Sequence, residues 1–339
     1  MPPLVSIVIP VCNVEEKTLH VCLQSICGQT FSALEVVVID DNKTEAEQKK
    51  CKLSVKNFCK LNKKNPTVRN IKYISEGGNY GLVEARRLGF ESAQGKYCMT
   101  VDADDKLASE NAVAILYNAA TTPTLECKKD FTGFDMTQCG CIFSKVDGTL
   151  FTETKDNNAE NPIVESFYNQ NGNIAPFFFA EGKHSYFMWA KMYKTEKVLE
   201  AFNQIPNMYC VYAEDFLQTY FFTKSMCSYN CIKDKLYNYT VQAGITSNNT
   251  VTTLERWKKL CSVSSVFTTI LYDLQENPIS EDSPVFLTVK KAYFNYITSN
   301  ALQLVHEVDP SIYEDAKSMF IEAWGEENAL KAIDAASKM

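Results

Sequence analysis

Three aspartates fall within four residues at Asp102-Ala103-Asp104-Asp105, directly after the apolar run Tyr97-Cys98-Met99-Thr100-Val101. A fourth, Asp215, lies far downstream in Tyr212-Ala213-Glu214-Asp215-Phe216. Carboxylates at the end of a buried strand face a crevice, and hard divalent cations bind through such oxygens. A cation there can carry a diphosphate, while a separate acid can remove a proton. That combination suits sugar transfer from a nucleotide donor. Capping of a following helix is the plainer use of the cluster, although acids so close repel one another unless a cation or donors compensate. An EF-hand is excluded, because Leu107 stands where its glycine belongs and Val113 where its bidentate glutamate belongs.

The elements that must position these acids alternate. Short Val- and Ile-rich runs at Leu4–Pro10, Leu34–Ile39, Ile71–Ser75 and Lys96–Val101 predict strands buried on both faces. Helical patterns cover Glu15–Gly28, Thr44–Leu61, Tyr80–Ala93 and Ser109–Ala120 between them. Right-handed βαβ units and a mainly parallel sheet follow, with ligands gathered at the carboxyl ends of the strands. Four strand ends carry polar signals: Pro10-Val11-Cys12-Asn13, Asp40-Asp41-Asn42, Glu76-Gly77-Gly78-Asn79 and the aspartate cluster. From about Cys127 the pattern becomes mixed, with strand-like runs at Cys139–Ser144 and Lys235–Val241 and a helix over Ala213–Ser225 carrying aromatic residues on its inward side. Beyond Leu254 amphipathic helices are expected at Glu255–Gln275, Val285–Val308, Ser311–Ala323 and Ala329–Ser337, punctuated by Pro278, Pro284 and Pro310.

A length of 339 residues suits one large domain with an appendage, or two domains. The expected division is an α/β unit over residues 1–250, its nucleotide-binding half at 1–125 and its acceptor half at 126–250, with a helical region at 251–339. A net charge of −7 argues against nucleic acid as a partner. The 13 cysteines, odd in number and poorly spaced for zinc, are expected as reduced core thiols. Met1-Pro2-Pro3 leads at once into a strand-like run, and no segment approaches the roughly 20 apolar residues that span a bilayer. A cytoplasmic protein is expected, with room for peripheral membrane contact and for homodimerisation through the helical tail.

Other residues carry weaker signals. Asp40 and Asp41 are turn chemistry, or a carboxylate placed to accept the imino N–H of uracil. Arg86 lies about a turn into its helix, within reach of a diphosphate or simply exposed, and Arg87 is its natural exposed neighbour. Glu214 and Asp215 point about 100° apart, so only one should face the crevice. By macrodipole stabilisation alone, acids in a helix's first turn need no catalytic duty. Trp189 stacks on a sugar or fills the core, and His184 is a surface residue or a metal ligand. No GxGxxG follows the first strand, which disfavours a dinucleotide site, and no Gly-rich basic loop supports a nucleotidyltransferase.

In this order and spacing the chain resembles the inverting GT-A glycosyltransferases of family 2, particularly bacterial capsule and lipopolysaccharide enzymes. Val5–Asn13, Ser25-Ile26-Cys27-Gly28-Gln29-Thr30, Glu35–Asp41, Gly81–Arg86, Gly95-Lys96-Tyr97 and Val101–Asp105 carry the resemblance. Trp189–Tyr193, Ala213–Phe216 and Leu236–Tyr239 continue it. It implies a GT-A fold with a C-terminal helical extension and a donor, UDP-linked, bound by Pro10, Val11, Asn13, Asp40, Asp41, Arg86, Asp102, Ala103 and Asp104. It implies Mn²⁺ or Mg²⁺ on Asp104 and Asp105, Asp215 as the base, and Trp189 and Glu214 beside a glycan or lipid-linked acceptor for polysaccharide biosynthesis. A non-catalytic sugar-nucleotide-binding or scaffold protein is the alternative. Cys12 replaces a common aromatic residue, and Gly244-Ile245-Thr246 replaces a familiar Ser-Ile-Thr.

Overall fold

All seven residues of strand β1 (Val5–Val11) and of β2 (Leu34–Asp40) are buried, as unbroken apolar runs require when helices cover both faces of a sheet. The computed structural model describes residues 2–125, 127, 131–151, 157–169, 172–180, 183–241 and 250–338. Within them β3 (Ile71–Ile74), β2, β1 and β4 (Tyr97–Thr100) pair in parallel in that order. Val11 pairs with Asp40 and Val8 with Thr100, so these strands end along one edge.

Helices α1 (Glu16–Cys27) and α2 (Glu45–Leu61) cover one face, packed on Ile7, Ile9, Val36 and Val38. Helix α3 (Leu82–Glu91) covers the other, on Val8, Val37 and Ile39. Period-two alternation assigns those strand residues to opposite faces. Gly89 lets α3 approach: a Cβ there would lie 2.2 Å from Val8 Cγ1. Helix α4 (Ala112–Thr121) follows the two-residue strand β5 (Lys106–Leu107).

The second half extends the same sheet. Strand β6 (Met136–Ser144) precedes short helix α5 (Asn157–Glu160), strand β7 (Ser166–Tyr168) and short helix α6 (Ala175–Phe178). Strand β8 (Lys191–Lys194) then pairs antiparallel with both β4 and β6, joining the halves. Helices α7 (Thr195–Phe202) and α8 (Glu214–Ser225) precede β9 (Ser228–Thr240), which pairs with β5, β6 and β7. The strands of the Met136–Lys194 region carry little alternating signal, because most of their residues are buried.

Beyond β9 the described residues are helical: α9 (Leu254–Cys261), α10 (Val263–Glu276), α11 (Pro284–His306), α12 (Tyr313–Trp324) and α13 (Glu326–Ala336). One helix was expected where α9 and α10 stand. The break falls at Ser262, whose hydroxyl donates to Lys259 O at 2.6 Å and competes with the helical ladder. This layer covers α8, corrects the expectation that α8 is aromatic on one side only, and leaves its residues Phe216–Thr223 all buried. Phe267 of α10 packs on Phe216, and the Tyr220 hydroxyl donates to Asp273 Oδ2 at 2.6 Å. No described helix is long and apolar enough to cross a membrane. The cysteines form no disulfide, and Cys12 alone is exposed.

Candidate active site

Strand β4 ends at Thr100, and Val101 N–H still reaches Val8 O at 3.0 Å, which delivers the acids to the sheet's carboxyl edge. Asp105 N–H donates to Asp102 O at 2.9 Å, closing a turn. Helix α4 starts only at Ala112 after Asn111, so the three acids do not cap it. Asp105, expected on a metal, is closed off instead. Its carboxylate accepts from the Tyr237 hydroxyl and Thr240 N–H, both at 2.7 Å, and it is 2% exposed. Burial, Asp102 and Asp104 push its carboxyl well above the usual range, against the hydrogen bonds from Thr240 and Tyr237. Asp104 is half-buried and makes no side-chain hydrogen bond or ion pair among the described residues; burial raises its carboxyl too.

Arg86 joins the acid cluster to Asp215 across 129 residues of sequence. Its Nη1 donates to Asp215 Oδ1 at 2.6 Å and to Gln218 Oε1 at 2.8 Å, and its Nη2 to Asp102 Oδ1 at 3.3 Å. Glu214 Oε1 lies 3.7 Å from Nη1. Both acids of the pair thus face Arg86, contrary to the 100° expectation. Ala213 takes the left-handed region (φ 60) just before α8, and from the helix start both Glu214 and Asp215 reach Arg86. Burial would lower the guanidinium's affinity for its proton, but Asp215, Asp102 and Glu214 raise it, and it stays charged. Arg86 is only 1% exposed, so its guanidinium is spent on carboxylates rather than open to the crevice. Arg87 is not an exposed neighbour either. It pairs with Glu84 at 2.9 Å and donates to Phe202 O and Ile205 O beyond α7.

Around the β1 and β2 ends the acids are structural. Asp40 accepts from Asn42 N–H at 3.0 Å, the Asn42 amide and the Tyr73 hydroxyl, and is closed to a base. Asp41 receives Tyr80 N–H at 2.7 Å and Gly81 N–H at 3.0 Å, tying down the start of α3, where Gly81 holds φ 93. Burial lifts Asp41 to about 6 against those bonds. Pro10, Val11 and Ala103 are buried at the same edge, and Asn13 is exposed with φ 54, its N–H on Asn42 Oδ1 at 2.8 Å.

Two expected roles meet a different environment. Trp189 is 2% exposed, stacked between Phe187, Tyr237 and Tyr239, which leaves almost no face for an acceptor. His184 is not on the surface: it stacks on Phe178, and burial lowers it to about 4, so it is neutral. Among the described residues no group of three or more His, Cys, Asp or Glu could hold an ion. Sequence reasoning missed Gln218, and it noted Tyr239 only within the Leu236–Tyr239 resemblance, without a role. Burial first, then the charges of Asp105, Asp102, Asp104 and Asp215, raise the Tyr239 phenol. The Gly244-Ile245-Thr246 departure lies outside the described residues.

Residues 6–127 match the sequence model described as Glycosyl transferase family 2. This segment belongs to that family. The family 2 segment contains the Asp102–Asp105 cluster and Arg86 but ends before Asp215. Glycosyltransferase GlyA of Streptococcus pneumoniae is 35% identical over 113 residues, a third of this chain (33%) and 14% of GlyA, so the chain spans a small part of that relative. Staphylococcus aureus TarS (residues 1–349) matches 100% of this chain and 90% of the solved chain, at TM-score 0.58 and 16% identity. The mannosyltransferase PcManGT of Pyrobaculum calidifontis, solved with GDP-Man and Mn²⁺, matches 100% of this chain and 81% of the solved chain, at TM-score 0.54 and 15% identity. Both likenesses establish the GT-A fold.

Within this site Glu214 and Asp102 respond differently to burial and to Arg86. Burial and then Asp215 raise Glu214 to about 8, while burial, partly offset by Arg86, raises Asp102 to about 6. A carboxyl raised in the folded state costs stability once the unfolded chain ionises. That loss begins above about 4.5 and is complete above about 8. Glu214→Gln should therefore lose less stability than the parent between pH 5 and 8, a difference on the order of 3 kcal/mol. Urea unfolding at the two pH values measures it, and parallel curves would remove the assignment.

Proposed function

We propose that the chain transfers a sugar from a nucleotide diphosphate donor, UDP-linked, to a hydroxyl of a glycan or lipid-linked acceptor with inversion. The observation that carries this reading is Arg86, which holds Asp215 and Asp102 on a single guanidinium at the carboxyl edge of the sheet. Asp215 takes the proton of the acceptor hydroxyl as its oxygen bonds to the anomeric carbon, and the bond to the diphosphate oxygen breaks on the opposite side. Arg86 fixes the carboxylate that receives the proton. Residues 1–250 form the catalytic unit, and the tail over 251–339 buttresses α8 from behind. TarS solved with UDP-GlcNAc, at TM-score 0.57 and 17% identity, supports a UDP-sugar donor by analogy of fold.

Asp104 suits a divalent ion, since its carboxylate is held at the rim without another partner among the described residues. Such ions are often bound by one or two carboxylates together with substrate phosphates. Mn²⁺ or Mg²⁺ on Asp104, beside Asp102, would stabilise charge on the departing diphosphate. Asp105 keeps the loop in place through Tyr237 and Thr240.

A panel of nucleotide sugars, screened by thermal stabilisation with and without Mn²⁺, tests the reading. A donor at a hundredfold excess over its Kd should add about 2.7 kcal/mol. Asp104→Ala should lose the ion-dependent part of that gain. If no nucleotide sugar shifts the melting temperature, or the variant responds like the parent, the donor and ion assignments fail.

A further inference from the structure

We propose that Gln218 is a positioning residue for Asp215, acting through Arg86, in the sugar transfer proposed above, on which the inference rests. Asp215 and Gln218 stand three residues apart on α8 and so share a face. Both accept from the same guanidinium nitrogen, Arg86 Nη1, at 2.6 and 2.8 Å. That nitrogen carries two N–H bonds, one for each acceptor.

Three carboxylates compete for this cation: Asp215 at 2.6 Å, Asp102 at 3.3 Å and Glu214 at 3.7 Å. Coulomb attraction has no preferred rotation, whereas a hydrogen bond is directional. The rear of the guanidinium does not fix its plane, because Arg86 Nε has no partner. Asp215 and Asp102 accept directional bonds from Nη1 and Nη2, and the bond to Gln218 Oε1 takes the second N–H of Nη1, so it helps fix the guanidinium plane and with it which Asp215 oxygen is held. A neutral acceptor does this without adding a fourth negative charge to the cluster. Gln218 is 0% exposed, and its own Nε2 finds no partner, so the amide is oriented by Arg86 alone. An apolar side chain would pack on α8 without that unmet donor. The polar one is explained by its hold on Arg86.

The test measures release of nucleoside diphosphate from UDP-sugars with Mn²⁺ by the full chain, with donor KM and kcat taken separately. Gln218→Met removes the acceptor at similar volume, and Gln218→Asn withdraws it by one methylene. Each should lower kcat about ten- to a hundredfold, as a misplaced reacting group does, with donor KM within about twofold of the parent. Gln218→Glu keeps an acceptor oxygen in place and should recover part of kcat. If Gln218→Met does not fold, Gln218→Asn decides by the same criteria. Unchanged kcat in a folded variant, or a fall in kcat matched by lost donor affinity, overturns the positioning role. A parent protein inert towards every donor overturns the transferase reading itself, and the inference falls with it.

Discussion

Replacing Asp215 with asparagine should abolish measurable transfer, a fall of at least 10²–10⁴-fold in kcat, while donor binding survives. General-base assistance contributes about that factor, and an amide cannot accept the proton. Asparagine keeps an oxygen that Arg86 Nη1 can reach, so the 2.6 Å contact and the packing of α8 are preserved. On the proposed reading the donor sits along the carboxyl edge of the sheet, on elements other than α8, which carries the substitution. Calorimetric titration of the variant with donor and Mn²⁺ separates the two effects. A variant that still transfers sugar at the parental rate would remove Asp215 from the chemistry.

Arg86→Met should destabilise the fold by about 3–5 kcal/mol near neutral pH, since it strands partners of a buried ion pair. Arg86 is 1% exposed and supplies the cation shared by Asp102, Asp215 and Glu214. Without it those carboxyls can be buried only by taking up protons. Glu214, already lifted to about 8, and Asp102, lifted to about 6, would rise further. Proton uptake is easier in acid, so the cost should be smaller at pH 5 than at pH 8. Denaturant unfolding of parent and variant at both values reads this directly. A loss below about 1 kcal/mol, or one that grows towards acid, would show that the guanidinium is not the hub of the cluster.

The parallel half of the sheet was legible because its signal is local. Leu4–Pro10 and Leu34–Ile39 are apolar without a break, and only a strand covered on both faces uses such a run. The observed strands, Val5–Val11 and Leu34–Asp40, differ by a residue at each end or less. Helices α1 to α4 and α8 were similarly readable from apolar spacing, whereas α5, α6 and α7 were not expected. The α9–α10 break and β8 were not, since one hydroxyl and one antiparallel pairing decide them.

Among the polar residues, the sequence by itself determined which side chains could do chemistry and that four strand ends would bring them to one edge. It could not assign their duties. Asp104 and Asp105 are neighbours of one type, yet Tyr237 and Thr240 close off Asp105 and leave Asp104 at the rim. Asp40 turned inward to Asn42 and Tyr73, and Arg86 turned from the crevice to three acids. Trp189 and His184 were drawn into aromatic stacks. In each case the deciding partner lies far along the chain or on another element. Only tertiary structure supplies it, because hydrogen bonding and desolvation depend on who is adjacent in space, not on spacing along the backbone.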